Sequence, residues 1–190
     1  MTARRKVAIL LSGRGSNMQA LVAAAREATC PYDVVLVASD KPGAPGIAWA
    51  AEQGLPTFAV STKGRAKADY ESEIDARLRD AGAEFVALAG YMRLLSDDFV
   101  ARWRGRILNI HPSLLPKYKG LDTHARAIEA GDKTAGASVH VVTEDLDAGE
   151  VLAQAVVPIL PGDTPATLGA RVLAAEHRLY PRTLAQFVSR

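Results

Sequence analysis

Asn109 and His111 stand two residues apart in the run Ile107-Leu108-Asn109-Ile110-His111, with Pro112 directly behind. In a strand over residues 106–111 the period of two sends Ile107, Asn109 and His111 to one face. Pro112, which has no N–H to donate, ends that strand. An amide and an imidazole presented side by side can donate hydrogen bonds to a developing oxyanion, and the imidazole can also carry a proton. Open α/β sheets hold their ligands at such strand ends. The same pair before a turn can equally brace loop backbone, so on its own it names no reaction.

A second stretch with chemical potential is Ser12-Gly13-Arg14-Gly15-Ser16-Asn17, between the apolar run Val7 to Leu11 and a helical pattern of Met18, Leu21, Val22 and Ala25. Its two glycines let the backbone turn tightly and approach a ligand. Ser16 or Asn17 is expected to cap the helix, whose first N–H groups attract phosphate. Met18 stands at the third glycine position of a dinucleotide fingerprint and Asp40 reads only as a loop residue, so a phosphomonoester fits better than a pyrophosphate. A tight turn without ligand is the plain alternative.

These residues need a scaffold. Val7 to Leu11, Asp33 to Ser39, Thr57 to Val60 and Phe85 to Ala89 read as buried strands, separated by helical stretches that include Ala66 to Ala81. The charge-rich face of that last helix reads as solvated surface. Alternation of strand and helix implies right-handed crossovers and a mainly parallel sheet covered on both faces. Ser96 caps a further helix, Asp122 or Thr123 another, and Ser138 to Val142 and Val151 to Val157 form two strands joined by the acidic turn Thr143 to Glu150. Ser138 and His140 share a strand face, where His140 is read as packed and hydrogen-bonded. Leu168, Val172, Ala175 and Leu179 define a closing helix that Pro181 is expected to kink, with Glu176 beside the apolar stripe. The loops after Leu11, Ser39, Ala89 and Ile110 leave the same sheet edge and are expected to converge. The architecture is α/β: a Rossmann-like three-layer α/β/α fold with a mainly parallel sheet and an antiparallel C-terminal strand pair, in one domain over 1–190.

Composition narrows the function class. With 23 basic and 21 acidic residues spread over 190, the net charge of +2 indicates no polyanion-binding face, which argues against nucleic acid. Arg4-Arg5-Lys6 precedes an apolar run too short for a signal peptide or a membrane span, so no membrane partner and a cytoplasmic location are expected. One cysteine and four scattered histidines give no metal-ligand spacing, and no metal is expected.

Taken together, Ser12 to Asn17, Ala89-Gly90-Tyr91-Met92-Arg93-Leu94-Leu95, Asn109 to Gly120, Thr123-His124 and Asp145-Leu146-Asp147-Ala148-Gly149 resemble the folate-dependent phosphoribosylglycinamide formyltransferases of purine synthesis. The resemblance runs in order through nearly the whole chain. Asn-Ile-His-Pro-Ser-Leu-Leu-Pro marks the broader group of 10-formyltetrahydrofolate transferases and hydrolases, and the Gly-Ser-Asn loop selects the acceptor. The resemblance implies that Gly15, Ser16 and Asn17 contact the glycinamide ribonucleotide phosphate region, with Glu176 near its ribose. It implies that Lys67, Met92, Arg93, Leu94, Leu95 and Asn109 contact the cosubstrate 10-formyltetrahydrofolate, and that Thr143 to Asp147 help bind its pterin. Asn109, His111 and Asp147 are the implied catalytic trio, which raises Asp147 from an ordinary turn aspartate.

In the implied reaction the ribonucleotide's primary amine attacks the formyl carbon directly, through a tetrahedral intermediate, in IMP synthesis. Asn109 and protonated His111 serve its oxyanion, and Asp147 favours the imidazolium and relays the amine's proton. Small-molecule substrates and a monomer or weak homodimer are expected. A hydrolase or a transferase for another amine is the near alternative, and a non-catalytic nucleotide-binding module the distant one. Two departures from relatives are visible: Glu150 stands where many have proline, and the chain stops soon after the closing helix.

Overall fold

A computed structural model describes residues 3–190. Seven strands form one sheet in the order β3-β2-β1-β4-β5-β6-β7. They are β1 (Arg5–Leu11), β2 (Tyr32–Ser39), β3 (Thr57–Ala59), β4 (Phe85–Leu88), β5 (Ile107–His111), β6 (Thr134–Val141) and β7 (Val151–Pro158). β1 to β5 pair in parallel, whereas β6 runs antiparallel to both β5 and β7. The fold is therefore the expected α/β sandwich with an antiparallel C-terminal pair. β6 begins at Thr134 rather than Ser138, because Ala135 to Ala137 are buried and paired with β7 despite the glycine at 136. Gly136 is required there: a Cβ would lie 1.9 Å from the Ala155 carbonyl oxygen.

Strand alternation sorts the apolar side chains into two cores. Val7, Ile9, Leu11, Leu108, Ile110 and Val139 pack beneath α1 (Ser16–Ala25), α2 (Pro45–Glu52), α5 (Thr123–Glu129) and α6 (Pro165–Val188). Ala8, Leu10, Val86, Leu88 and Ile107 pack beneath α3 (Lys67–Asp80) and α4 (Asp97–Arg102). Each fully buried Leu, Ile or Val contributes roughly 1.5–3 kcal/mol, so β1, β2, β4 and β5, which place buried residues in both cores, are pinned in register by both faces. α6 contributes Leu168, Val172, Ala175, Tyr180 and Leu184 to the first core, and its Tyr180 hydroxyl reaches the carbonyl oxygens of Leu88 and Leu108 at 3.0 and 3.1 Å. Pro181 lies inside this helix, which runs on for seven residues beyond it.

The charged face of α3 is not wholly solvated. Glu71 is buried and accepts the Ser96 backbone N–H at 2.9 Å, and Asp75 accepts the Trp103 indole N–H at 2.7 Å. Both carboxylates tie α3 to the segment around α4, which explains their place among apolar neighbours. Ser96 caps α4 as its sequence predicts, accepting the Phe99 N–H at 3.2 Å.

Candidate active site

Because β5 and β6 pair antiparallel, Asn109 lies opposite His140 and His111 opposite Ser138. Directly opposed residues project from the same face. Two polar side chains from each strand are thus gathered at one strand end. Asn109 Nδ2 is 3.2 Å from His140 Nε2. The loop after β6 returns Asp147 onto the pair: its Oδ2 is 3.4 Å from His111 Nδ1 and its Oδ1 is 3.5 Å from His140 Nε2. All three side chains are buried, at 3–7% exposure.

Local backbone makes this return possible. Asp147 adopts φ 46°, a left-handed conformation that aspartate tolerates better than most side chains. Gly149 passes so near β6 that a Cβ would lie 1.7 Å from the Val141 carbonyl oxygen. Val141 N–H donates to the Glu150 carbonyl at 2.9 Å. That bond uses a carbonyl, which proline also carries, so glutamate at position 150 leaves the turn's pairing intact.

Asp147 is also fixed from the central motif, accepting the Gly120 N–H at 3.0 Å. Burial disfavours its charge, but the hydrogen-bonding and charged groups around it, the Gly120 N–H and His111 among them, outweigh it and hold the carboxyl below its ordinary range. His111 is oriented by a second constraint: its Nε2 lies 2.9 Å from the Tyr118 carbonyl oxygen. A carbonyl only accepts, so Nε2 carries a proton, and Nδ1 is left facing the Asp147 carboxylate. Both nitrogens donate only in the imidazolium form. Tyr118 itself is held at φ 54°, unusual for an aromatic residue, with its hydroxyl donating to Asp132 at 2.8 Å and Arg126 5.2 Å above its ring.

The Gly-Ser loop reaches the same edge. Gly15, at φ 73°, is the N-cap of α1, and no side chain caps the helix. This corrects the expectation of a Ser16 or Asn17 cap: Asn17 instead donates from Nδ2 to Glu176 Oε2 at 2.7 Å. The N–H groups of Ser16, Asn17 and Met18 precede the first intrahelical bond, from Gln19 to Gly15. Glu176 is buried, and burial pushes its carboxyl up despite the Asn17 hydrogen bond. Gly15, Ser16, Asn17 and Glu176 therefore form one cluster where α1 meets α6. Asp122 likewise occupies the N-cap position of α5 without a side-chain cap bond, at φ 56°, and Thr123 donates to the Pro112 carbonyl instead. His124 packs half-buried against Gly169, and burial together with His111 holds its imidazole below the usual range.

Asp40 proves more than a loop residue. Its buried carboxylate accepts the Ser12 hydroxyl and pairs with Arg93 Nε at 3.2 Å, while Ser12 Oγ accepts the Met92 N–H at 2.9 Å. Asp40 thereby joins the loops after β1, β2 and β4. Beside it a groove of about 460 Å³ is lined by Lys67, Met92, Arg93 and Leu94 with Asp40, Lys41 and Tyr70. Met92 and Leu94 are each 64% exposed, so an apolar surface is offered to a ligand beside three cationic side chains. Leu95 lies outside this groove, packed on the α3–α4 core. Asn109, Thr143 and Asp147 do not line it either. Thr143 is exposed at the start of the acidic turn, with its hydroxyl 3.3 Å from the Asp145 carbonyl.

Among the described residues no group of three or more His, Cys, Asp or Glu side chains is placed to hold a metal ion, and no helix is long and apolar enough to cross a membrane. His140 is the site residue whose importance sequence reading understated. Its strand face was legible, but the β5–β6 register that sets it against Asn109 was not.

Comparison with known proteins shows the family of the chain. Residues 5–184 match the formyl transferase family. Phosphoribosylglycinamide formyltransferase of Escherichia coli (strain K12) is 41% identical over 182 residues, covering 95% of this chain and 86% of that protein. The trifunctional purine biosynthetic protein adenosine-3 of Drosophila melanogaster is 47% identical over 189 residues. That match covers 98% of this chain but only 14% of the larger protein. The crystal structure of phosphoribosylglycinamide formyltransferase from Brucella melitensis superposes with a TM-score of 0.94 at 52% identity, over 98% of this chain and 97% of that one. The chain belongs to the phosphoribosylglycinamide formyltransferase family of formyl transferases.

Proposed function

We propose that this chain transfers the formyl group of 10-formyltetrahydrofolate to the primary amine of glycinamide ribonucleotide, a step of de novo purine synthesis. One observation carries the reading: His111 Nδ1 faces Asp147 beside the Asn109 amide, at a strand end flanked by an anion-attracting helix start and an apolar, cationic groove.

The helix start of α1 receives the phosphate on the N–H groups of Ser16 and Asn17, and Glu176 accepts a ribose hydroxyl. Gly15 gives the phosphate close access to the backbone. In the groove Met92 and Leu94 cover the pterin and aryl rings, while Lys67 and Arg93 meet the carboxylates at the other end of the molecule. Leu95 supports that wall from the core, and Thr143 to Asp147 close over the pterin.

The amine nitrogen then forms a bond to the formyl carbon, and the carbonyl electron pair moves to oxygen. Asn109 N–H and His111 Nδ1–H donate to that oxyanion; losing one such donor costs about 3–4 kcal/mol. Asp147, ionised, steadies the imidazolium at 3.4 Å and takes up the amine's surplus proton through water. His111 gives its Nδ1 proton to the departing folate nitrogen as the carbon–nitrogen bond breaks, and the proton collected by Asp147 restores the imidazolium. One proton leaves the attacking nitrogen and one arrives at the leaving nitrogen, so the cycle closes with the residues unchanged. The groups described take small-molecule substrates.

The test mixes the protein, 10-formyl-5,8-dideazafolate and glycinamide ribonucleotide and follows absorbance. Deformylation that requires the ribonucleotide is expected. Deformylation at the same rate without it makes the protein a hydrolase, and no deformylation in either mixture overturns the reading altogether.

A further inference from the structure

His140 has no part in the reaction described above, yet it is 2% exposed and touches Asn109 and Asp147, two of the three residues assigned to it. Its Nδ1 lies 3.1 Å from the Val141 carbonyl oxygen. That oxygen can only accept, so a ring proton sits on Nδ1, and the contact with the Asn109 nitrogen is a hydrogen bond when Nε2 offers its lone pair. Nε2 has two neighbours, Asn109 at 3.2 Å and Asp147 Oδ1 at 3.5 Å. A lone pair cannot donate to the carboxylate, but it accepts from an amide N–H. The shorter contact is therefore the hydrogen bond, and the Asn109 atom that makes it must be nitrogen.

We propose that His140 is a positioning residue: its Nε2 lone pair accepts one N–H of Asn109 and so locks the amide with its NH₂ end toward His140, leaving the second N–H of the same nitrogen free for the formyl oxygen. This inference rests on the formyl-transfer reading for its catalytic consequence, not for its geometry.

The physical need is specific. The two ends of a carboxamide have nearly the same shape, and packing alone scarcely distinguishes them. A half-turn about the last side-chain bond would present Oδ1 to the developing oxyanion and replace an attraction by a repulsion. An acceptor fixed on one side removes that ambiguity, and antiparallel pairing of β5 with β6 puts the acceptor directly across the ladder. Loss of the lock should lower kcat about as much as loss of an oxyanion donor, roughly 10²-fold.

Glutamine and leucine at position 140 separate this role from the others. In His140→Gln the side-chain oxygen can accept from Asn109 and the amide N–H can serve Asp147, but no proton can be carried. In His140→Leu the volume is kept and the acceptor is lost. Folding of both variants is checked by circular dichroism. His140→Gln is expected to stay within about tenfold of the parent kcat, and His140→Leu to lose roughly 10²-fold in kcat with smaller change in either KM. The ¹⁵N-resolved side-chain NH₂ signals of Asn109 in the ligand-free protein should be similar in the parent and His140→Gln and move in His140→Leu. Equal loss of kcat in both variants would make His140 a proton carrier and overturn the proposal, as would Asn109 signals that ignore the leucine substitution. A parent that formylates no ribonucleotide defeats the functional reading instead, and the amide signals still decide the lock.

Discussion

His111 presents Nδ1 to Asp147 at 3.4 Å because its Nε2 is committed to the Tyr118 carbonyl at 2.9 Å. The reacting nitrogen is thus assigned by a backbone contact seven residues downstream. Replacing His111 with alanine or Asp147 with asparagine should lower kcat by about 10²–10⁴-fold while the far-ultraviolet spectrum is kept. Near-parental turnover in either folded variant removes that residue from the mechanism.

Asp147 also links activity to acid stability. Its folded-state pKa lies below the unfolded one, so the stability it contributes is full above the unfolded value and disappears as pH falls through the folded value. Asp147→Asn should therefore melt below the parent at pH 7, and the gap should close in acid below the usual carboxylate pKa of about 3.9. A gap independent of pH would show that ionisation of Asp147 adds nothing to the fold.

Glu176 behaves in the opposite sense. Burial raises its pKa on folding, so its contribution is most favourable below the unfolded value and is lost as pH rises through the folded one. Glu176→Gln should melt a few degrees above the parent at neutral pH and lose that advantage in acid. The same variant, like Asn17→Ala, should raise KM for glycinamide ribonucleotide several-fold with less effect on kcat. An unchanged KM in both would place the ribonucleotide elsewhere.

Tyr118 holds its left-handed backbone through the hydroxyl bond to Asp132. Asp132→Ala frees that ring, and with it the carbonyl that orients His111. We expect a loss of roughly tenfold in kcat, since small misplacements of a reacting group carry penalties of up to about 10²-fold. Turnover measured beside a nitrogen-15 spectrum of His111 checks it: unaltered kcat and ring-nitrogen shifts would mean that the loop needs no brace.

Gly149 is the backbone counterpart. Its alanine variant would drive a Cβ into the Val141 carbonyl, so the acidic turn must move and take Asp147 with it. Turnover should fall by at least tenfold while the melting temperature, set by the two distant cores, shifts far less than in a core variant. Parental turnover would show that the turn relaxes without displacing Asp147.

Periodicity alone placed Asn109 and His111 on one face, identified five parallel strands and the closing pair, and grouped the loops that meet around Ser12, Asp40 and Met92. Those features depend on local alternation and chain order, which the sequence carries directly. Which residues stand opposite one another does not. The β5–β6 register that sets His140 against Asn109, the left-handed turn that carries Asp147 36 residues back to His111, and the Asn17–Glu176 contact joining the first helix to the last arise from packing across the whole chain. The mistaken Ser16 or Asn17 cap has the same origin. A free helix end favours a local side-chain acceptor, but a buried carboxylate from α6 offered Asn17 the stronger partner. Local pattern set the chemical groups and the sheet edge where they appear; which nitrogen of His111 faces Asp147 was settled by long-range packing, because it depends on the Tyr118 carbonyl and on a strand register that no local pattern encodes.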